Sequence, residues 1–352
     1  MKKLTVVVLI LVLAFTAFTG CGTKGDVDSG EQSTGNQKDL TVYTALEDEQ
    51  IDKYLVSFNQ KYPDIKVNIV RDSTGIITAK LLAEGAGTSA DLVWGTAASS
   101  LLVLDQNDML EAYAPKGVEN VLPRLKDSND PPKWVGIDAW ELAIVVNKEE
   151  AKAKNLPEIK SYEDLLKPEF KGEIVMSNPN SSGTGFLAVS GLIQLMGEEK
   201  AYEYLDKLHE NIGVYTHSGS APAKKAGAGE FAVGISYGYA GVSQKEKGYP
   251  VDVIFPEEGS GWDVEANALI KKDNVKEEAK LFLDWTISED AMNDLKEDYA
   301  ITGVKTGDEI PKGYTKDPLK QLIDNDLNWA AENRDKILKK WMSKYDGKSE
   351  AE

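Results

Sequence analysis

The sequence predicts an α/β fold of two lobes joined by crossing strands. Short apolar segments alternate with amphipathic helical segments from residue 40 onward, as in strand–helix–strand units that build a parallel sheet covered on both faces. Roughly 310 residues follow the polar segment that ends at residue 38, which is enough for two domains. Residues 136–142 and 255–266 lie where strands would cross between the lobes.

The first lobe is predicted to span residues 39–137. Its first helix, 46–63, places Ile51, Tyr54 and Phe58 on one face and has carboxylates in its first turn. The other predicted elements are a strand at 40–45, a strand at 65–70, a helix at 72–85, and a strand and helix within 90–106.

The second lobe is predicted to span residues 138–261, and residues 262–352 return a strand to the first lobe and add C-terminal helices. Its predicted strands lie within 141–148, 172–179 and 229–241, with the returning strand at 264–272. The predicted helices follow residue 179 and cover 198–212, 275–295 and parts of 318–341. Because ligands bind at the carboxyl ends of strands in such sheets, the cleft between the lobes is the expected site.

Residues 1–20 have the organisation of a secretory signal peptide. Two lysines precede an apolar run at residues 4–18, and "FTGC" follows. The run is slightly short for a transmembrane anchor and lacks basic residues on its far side. The ending resembles a bacterial lipobox, with Phe18 in place of the usual leucine, which implies lipidation of Cys21. Since Cys21 is the only cysteine, neither an intramolecular disulfide nor a thiolate metal cluster is expected.

The segment at residues 21–38 is polar, rich in Gly and Ser, and without apolar periodicity, so it is predicted to be a flexible tether. The formal net charge of −18 argues against nucleic acid and against an anionic membrane surface as partners. A small anionic ligand is compatible with this charge, because local backbone dipoles can outweigh a distant net field. We expect a monomer, anchored by lipid to the outer face of the cell membrane.

Three segments rich in Ser, Thr and Gly stand where a predicted strand ends and a helix begins: "RDSTG" (71–75), "WGTAASS" (94–100) and "PNSSGTG" (179–185). A helix start has unpaired N–H donors and about half a positive charge, so small residues there admit an anion to the backbone. Each segment alone is better explained as an N-cap. Three together at strand ends of a two-lobed chain favour an anion site.

Several stretches carry a family resemblance, among them "VRDSTGIITAKLLAEG", "IVMSNPNSSGTGFLAVS" and "FPEEGSGWDVEANAL". They resemble the aminoethylphosphonate-binding proteins of bacterial ABC importers, within the family-one solute-binding proteins that also include ferric-ion and sugar-phosphate binders. The similarity covers residues 40–305, and Asn178–Phe186 is its most specific part.

The resemblance implies a type II periplasmic-binding-protein (venus-flytrap) fold. Its cleft would capture a small phosphonate or phosphate ester and deliver it to the permease subunits of an ABC importer, with no cofactor and no metal. After "GIS" the family pattern is an aromatic, an acidic residue, Tyr and a basic residue. This chain has "YGYA" at residues 237–240, so the resemblance is specific for the oxyanion half of the site.

The predicted ligand-binding residues form an oxyanion group and a group for the rest of the ligand. The oxyanion group is Ser73, Thr74, Gly75, Thr96, Ser181, Ser182, Gly183 and Thr184. The remaining predicted residues are Thr44, Ala45, Glu47, Trp94, Tyr237, Tyr239, Asp263 and Glu265. An amine in a closed cleft needs a counter-charge, because an unpaired ammonium is costly to desolvate; Glu47, Asp263 and Glu265 are the candidates. Trp140 and Trp262 are further candidates for the wall, and Arg71 for the oxyanion, although ordinary core or surface roles explain each equally well.

Two alternative functions compete with this interpretation. Ferric iron could bind Tyr237 and Tyr239, but two residues of one strand that point to the same face lie about 6.5 Å apart, a poor chelating pair. His209 is expected on an exposed helix face, and His217 is expected to order a loop. A secreted hydrolase is disfavoured, because the G-x-S-x-G motif is absent and neither histidine stands in a recognisable partner motif.

Overall fold

A computed structural model describes residues 38–307 and 309–351 of the chain. The predicted signal peptide, Cys21 and all but the last residue of the predicted tether lie outside these residues. Among the described helices, none has both the length and the apolar character needed to cross a membrane.

The described strands follow the predicted alternation with helices. In chain order they are β1 (Lys38–Thr44), β2 (Ile65–Arg71), β3 (Leu92–Ala97), β4 (Leu110–Glu111), β5 (Val135–Asn147), β6 (Ile174–Ser177), β7 (Ile212–Thr216), β8 (Val233–Tyr237), β9 (Val251–Ile254), β10 (Trp262–Ile270) and β11 (Ile301–Thr302).

Nine of the described α-helices fall in predicted helical segments, whereas those at 148–153, 221–227 and 238–246 were not predicted, and the last of these overlaps the predicted strand at 229–241. In chain order the described α-helices are α1 (Asp48–Lys61), α2 (Thr74–Glu84), α3 (Ala98–Gln106), α4 (Lys148–Ala153), α5 (Gly183–Met196), α6 (Glu198–Asn211), α7 (Ala221–Gly227), α8 (Gly238–Glu246), α9 (Glu277–Thr286), α10 (Glu289–Asp298), α11 (Pro318–Gln321) and α12 (Leu327–Tyr345).

The strands form one path in the order β2–β1–β3–β10–β5–β8–β6–β7. The pairs of β1 with β2 and β3, and of β6 with β7 and β8, are parallel. The predicted parallel pairing is confirmed within these groups, whereas the strands that join them pair antiparallel, β10 with β3 and β5, and β5 with β8. The returning strand therefore inserts between the two parallel groups, which we call the first lobe (β1–β3) and the second lobe (β6–β8).

The two lobes share strand β5. Its first part pairs with β10, whereas Leu142–Asn147 pairs with β8 and β9. The first predicted crossing, near residues 136–142, thus lies within a single continuous strand. The second predicted crossing is a strand only from Trp262 onward, because residues 255–261 connect β9 to β10 outside any named strand. The boundaries proposed for the lobes stay a prediction.

Helix α1 shows how the sequence places the cleft residues of the first lobe. The side chains of Glu47 and Gln50 form a capping box at its start, which fixes the direction in which the chain leaves β1. The predicted apolar face is confirmed, because Ile51, Tyr54 and Phe58 are buried. This packing holds Glu47 beside the carboxyl end of β1.

Candidate ligand-binding site

A cavity of about 40 Å³ lies at the carboxyl ends of strands from both lobes. By a comparable measure a single water needs roughly 10–15 Å³, so the cavity has room for a few small groups. The predicted residues that line it are Ala45, Glu47, Ser73, Thr74, Ser182, Gly183, Thr184, Tyr237 and Glu265. Arg71 and Trp140, the further candidates named from the sequence, also line it, together with Gly95, Ala97, Gly219 and Ser220.

The start of α5 supplies one wall of the cavity. Ser182 is the N-cap, and its hydroxyl accepts a hydrogen bond from the N–H of Gly185 at 3.2 Å. The predicted role of the Ser182 N–H is wrong, because that group donates to the Asn178 carbonyl at 2.9 Å. Within the described residues the N–H groups of Gly183 and Thr184 have no acceptor, so they are the donors that this helix start offers.

The start of α2 meets the start of α5 across the cleft. The N–H of Gly75 donates to the Ser181 carbonyl at 2.9 Å. A Cβ atom at Gly75 would lie 2.4 Å from the Asn180 carbonyl oxygen, and one at Gly183 would lie 2.9 Å from Oγ1 of Thr74. Glycine at both positions therefore lets two positive helix ends approach one small cavity.

The third predicted helix start, that of α3, meets the cavity through its N-cap residue, Ala97, but a side chain of the protein already accepts from its backbone. A buried carboxylate, Asp263, accepts a hydrogen bond from the Ser99 N–H at 3.4 Å. The burial of Asp263 raises its pKa to about 6, against the effect of hydrogen bonds from the α3 backbone. The predicted role of Asp263 as a counter-charge for the ligand is thus corrected, since it caps α3. Thr96, just before α3, is buried, and its hydroxyl has no partner among the described residues.

Glu47 joins two cations at the rim of the cavity. Its carboxylate lies 3.1 Å from Arg71 and 2.9 Å from Lys224, which belongs to the second lobe. Arg71 also donates to the Leu46 carbonyl at 2.9 Å. Lys224 is half exposed and Glu47 is mostly buried, so the ion pair across the cleft is partly screened by water. Glu47 is therefore already compensated by protein cations.

Glu265 and Asp138 form a pair of carboxyl groups beneath the cavity. They are opposite each other on β10 and β5, so their side chains are cross-strand neighbours on the same face of the sheet. Asp138 is fully buried. Burial raises the pKa of both groups well above the ordinary range, and the charge of Glu265 raises the pKa of Asp138 further. Sequence reasoning missed Asp138, which no motif distinguishes from other strand residues.

The two tyrosines lie at a bend, and the strand geometry predicted for them is wrong. Tyr237 ends β8, whereas Tyr239 is inside α8. Their ring centroids are 6.3 Å apart. Tyr237 lines the cavity beside Trp140, at 5.7 Å between ring centroids, while Tyr239 stacks on Tyr299 at 5.4 Å.

Other predicted residues lie outside the cavity lining. Trp94 is in the core, where its ring packs edge-on against Phe282 and Trp285. Trp262 is buried and donates to the Ile323 carbonyl at 3.0 Å. The remaining predicted residues are buried and do not line the cavity: Thr44, Gly75, Thr96, Ser181 and Tyr239.

The two histidines do not line the cavity. His209 is half-buried rather than exposed, and its ring stacks on that of Tyr215 at 5.8 Å. The carbonyl of His217 accepts a hydrogen bond from the Ser181 hydroxyl at 2.9 Å, as expected of a residue that orders a loop. No group of three or more His, Cys, Asp or Glu residues in the described part of the chain is arranged to hold a metal ion.

The C-terminal residues hold the loop that precedes α5. The Asn178 amide donates to the Ser349 hydroxyl at 2.9 Å, and the Glu350 N–H donates to the Tyr215 carbonyl at 2.9 Å. The Asn178 side chain in turn accepts from the Asn180 N–H at 2.8 Å. The contacts made by Ser349 and Glu350 join residues more than 130 positions apart in sequence, so local pattern could not have revealed them.

Comparison with known proteins places the chain in a family. The family model for bacterial extracellular solute-binding proteins matches residues 89–329. An uncharacterized protein of Haemophilus influenzae is 28% identical over 314 residues, which is 86% of this chain and 89% of the relative.

Solved structures agree with this assignment. The periplasmic binding protein AfuA from Actinobacillus pleuropneumoniae, solved with fructose-6-phosphate bound, is 30% identical with a TM-score of 0.81, covering 88% of this chain and 99% of its own. Iron-bound HitA from Pseudomonas aeruginosa is 21% identical with a TM-score of 0.72, covering 86% and 99%, which shows the shared fold alone. The chain belongs to the bacterial extracellular solute-binding proteins, the extracytoplasmic, non-enzymatic binding components of ABC importers.

Proposed function

We propose that this protein captures a small phosphonate, such as aminoethylphosphonate or a similar phosphonate or phosphate ester, and delivers it to an ABC permease. The observation that carries the proposal is the meeting of α2 and α5 at one small cavity. The start of α5 offers the N–H groups of Gly183 and Thr184, and the start of α2 adds the hydroxyl groups of Ser73 and Thr74 to the same volume, which suits a tetrahedral oxyanion.

The carboxyl groups of the same cavity support a ligand with a cationic end. Glu265 lines the cavity, and within the described residues no Lys or Arg forms an ion pair with it or with Asp138. An ammonium group placed there would find hydrogen-bond acceptors that have no protein cation. A ligand with an anionic head and an amine matches both halves of this lining.

The volume of the cavity favours a ligand of few atoms. About 40 Å³ accommodates a phosphonate head and little more without movement of the walls. A sugar phosphate is the second candidate, because AfuA, at 30% identity, was solved with fructose-6-phosphate. A ligand of that size requires the lobes to stand further apart than they do here.

Ferric iron is the weaker candidate. The bend that brings Tyr237 and Tyr239 near each other removes the strand-geometry argument against chelation. However, Tyr239 stacks on Tyr299 and does not line the cavity. The likeness to ferric-binding proteins supports the fold only.

The proposed location follows from the N-terminal sequence. We infer that Cys21 carries lipid and that residues 22–38 tether the folded part to the outer face of the membrane, within reach of the permease.

Calorimetry with a ligand panel tests the proposal. The panel is aminoethylphosphonate, ethylphosphonate, inorganic phosphate, fructose-6-phosphate and ferric citrate. We expect aminoethylphosphonate to bind most tightly and, at a hundred times its Kd, to stabilise the fold by about 2.7 kcal/mol, visible as a rise of several degrees in Tm. Tightest binding of fructose-6-phosphate or of iron would overturn the phosphonate assignment.

The variant Gly183→Asp tests whether the helix start binds the oxyanion. It places a carboxylate and added bulk beside Thr74, where the anion would bind. A loss of about 3 kcal/mol in binding weakens affinity more than a hundredfold. Gly87→Asp is the charge-matched control, because Gly87 is exposed, has no neighbour within 4 Å of an added Cβ, and does not line the cavity. Unchanged affinity in Gly183→Asp would show that this helix start is only an N-cap.

A further inference from the structure

Resting on the proposed function, we propose that Asp138 is a specificity residue: it shares a proton with Glu265 in the ligand-free site, and a cationic group on the ligand displaces that proton into solvent. Asp138 does not line the cavity, whereas Glu265 does, so Asp138 acts on the ligand through Glu265.

The geometry of the pair is the first support. Asp138 and Glu265 are register partners on two antiparallel strands that connect the lobes. Neither oxygen of Asp138, nor Oε2 of Glu265, has a hydrogen-bond partner in the described part of the chain. Two carboxyl groups that face each other across a strand pair can satisfy each other only when one of them carries a proton, because ionised carboxylates are acceptors alone. Buried polar groups without partners are costly, so a shared proton stabilises this arrangement.

The surroundings of the pair are acidic or neutral. Tyr299 donates to Oε1 of Glu265 at 3.2 Å and accepts from the Gln50 amide at 2.9 Å. The nearby carboxylates Glu47 and Asp298 raise the pKa of Glu265.

The cations near the pair are already engaged. Arg71 and Lys224 bind Glu47, and Lys53 binds Asp298. The other titratable groups that interact electrostatically with Asp138 or Glu265 are Glu141 on β5, Tyr54 on α1, Tyr237 on β8, Tyr239 on α8 and Tyr314, and Thr302 on β11 is a register partner of Asp138. Among the described residues, none of these groups supplies a positive charge to replace the proton.

A ligand ammonium supplies that charge. In the ligand-free pair, one carboxylic acid donates to one carboxylate, with a combined charge of −1. When an ammonium group contacts Glu265, its charge favours the ionised form of both groups, and the proton leaves for the buffer. The pair then has a charge of −2 beside a charge of +1. A ligand with a hydroxyl or methyl group in the same place leaves the proton where it was.

Calorimetry of the full chain in two buffers of equal pH but different ionisation enthalpy counts the protons released. We expect wild type to release about half to one proton per aminoethylphosphonate at pH 7, so affinity should rise about three- to tenfold per pH unit. In Asp138→Asn the introduced amide donates to Glu265 and holds it ionised, so the proton of the pair should no longer be released. Because a phosphonate group itself titrates near neutral pH, the proton of the pair is counted as the release by wild type in excess of the release by Asp138→Asn. Ethylphosphonate should show no such excess. Glu141→Gln, another buried carboxyl on β5 that does not line the cavity, is the matched control and should release as wild type does.

Infrared spectroscopy of the ligand-free protein supplies an independent readout. We expect wild type at pH 7 to show the infrared band of a protonated carboxyl group. The band that is lost in Asp138→Asn is assigned to the pair, and we expect Glu141→Gln to retain that band. Absence of this band overturns the shared proton whatever the ligand. Binding of aminoethylphosphonate without this excess proton release overturns the specificity role while the proposed function stands. If no phosphonate binds, the proposed function fails and the ligand-displacement step fails with it, whereas the band still decides the shared proton.

Discussion

The contact between the starts of α2 and α5 can be tested with a single methyl group. In Gly75→Ala the added Cβ would lie 2.4 Å from the Asn180 carbonyl oxygen and 2.7 Å from the carbonyl group of Ser181. These are backbone atoms of the opposite lobe, which cannot rotate away as the end of a side chain can. The methyl group therefore acts as a wedge between the lobes at the place where the ligand is bound.

The expected size of the effect follows from the cost of overpacking. Extra methyl groups in a tightly packed place cost about 1–3 kcal/mol, and each 1.4 kcal/mol is a tenfold change in affinity. We expect Gly75→Ala to weaken ligand binding roughly five- to 150-fold. Because Gly75 is helical, alanine there also reduces the conformational freedom of the unfolded chain, which stabilises each lobe by about 0.4–1 kcal/mol. Weaker binding without a loss of Tm distinguishes a wedge from general damage.

The assay is titration calorimetry on wild type, Gly75→Ala and Gly87→Ala. Gly87 follows α2 closely, and an added Cβ there meets nothing within 4 Å, so its variant should bind as wild type does. If Gly75→Ala binds the ligand as tightly as wild type, the Gly75–Ser181 contact is not part of the ligand-bound form, and the reasoning that joins the two helix starts in one anion site is refuted.

Three further predictions concern the anchor, the metal and the buried charge. Cys21→Ser should leave the folded part intact and move the protein from the membrane to the soluble fraction; continued retention in fractionation would contradict lipidation. Ferric ion should produce no phenolate charge-transfer colour, whereas a purple-red band lost in Tyr237→Phe would favour iron. Burial raises the pKa of Glu141 to about 8, well above the ordinary value of about 4.5 that it has in the unfolded chain, so the stability of the wild type should fall as pH rises between these two values. In urea denaturation, the free energy of unfolding of Glu141→Gln should therefore rise relative to that of wild type by up to about 1.4 kcal/mol per pH unit in that window. Equal pH profiles of the two proteins would contradict the raised pKa of Glu141.

Local pattern was sufficient for much of the fold. Helix α1 could be predicted because its apolar residues recur on one face, and α2 and α5 because small capping residues follow apolar strands. Strand direction could not be predicted in the same way. The run that becomes β10 has the apolar character of a strand buried on both faces, and that character is the same whether its neighbours run parallel or antiparallel to it.

The site was predicted where it depends on backbone and missed where it depends on distant partners. Gly183 and Thr184, which line the cavity, could be predicted because the start of a helix after a strand is a local feature of the sequence. Asp263 was misassigned because its partner, the start of α3, is 164 residues away. The bend between Tyr237 and Tyr239 was missed for a related reason. A Cβ atom added to Gly238 would lie 2.9 Å from the ring of Tyr314, which belongs to a segment distant in sequence.

An anion site in a chain with a net charge of −18 needs a local explanation, and the ion pairs at the rim do not provide it. Lys224 is 50% exposed where it meets Glu47, and pairs of this kind contribute at most about 1 kcal/mol and are screened by salt. The buried groups are different, because water does not reach them. In the proposed site, the backbone donors of Gly183 and Thr184 at the start of α5 would act on the ligand at short range, and the proposed shared proton of Asp138 and Glu265 would withhold negative charge from the cavity until a cation binds. The acidic surface and the anion site are therefore compatible, since the field that the ligand meets is set by dipoles and protons within the cavity and only weakly by the charge of the whole chain.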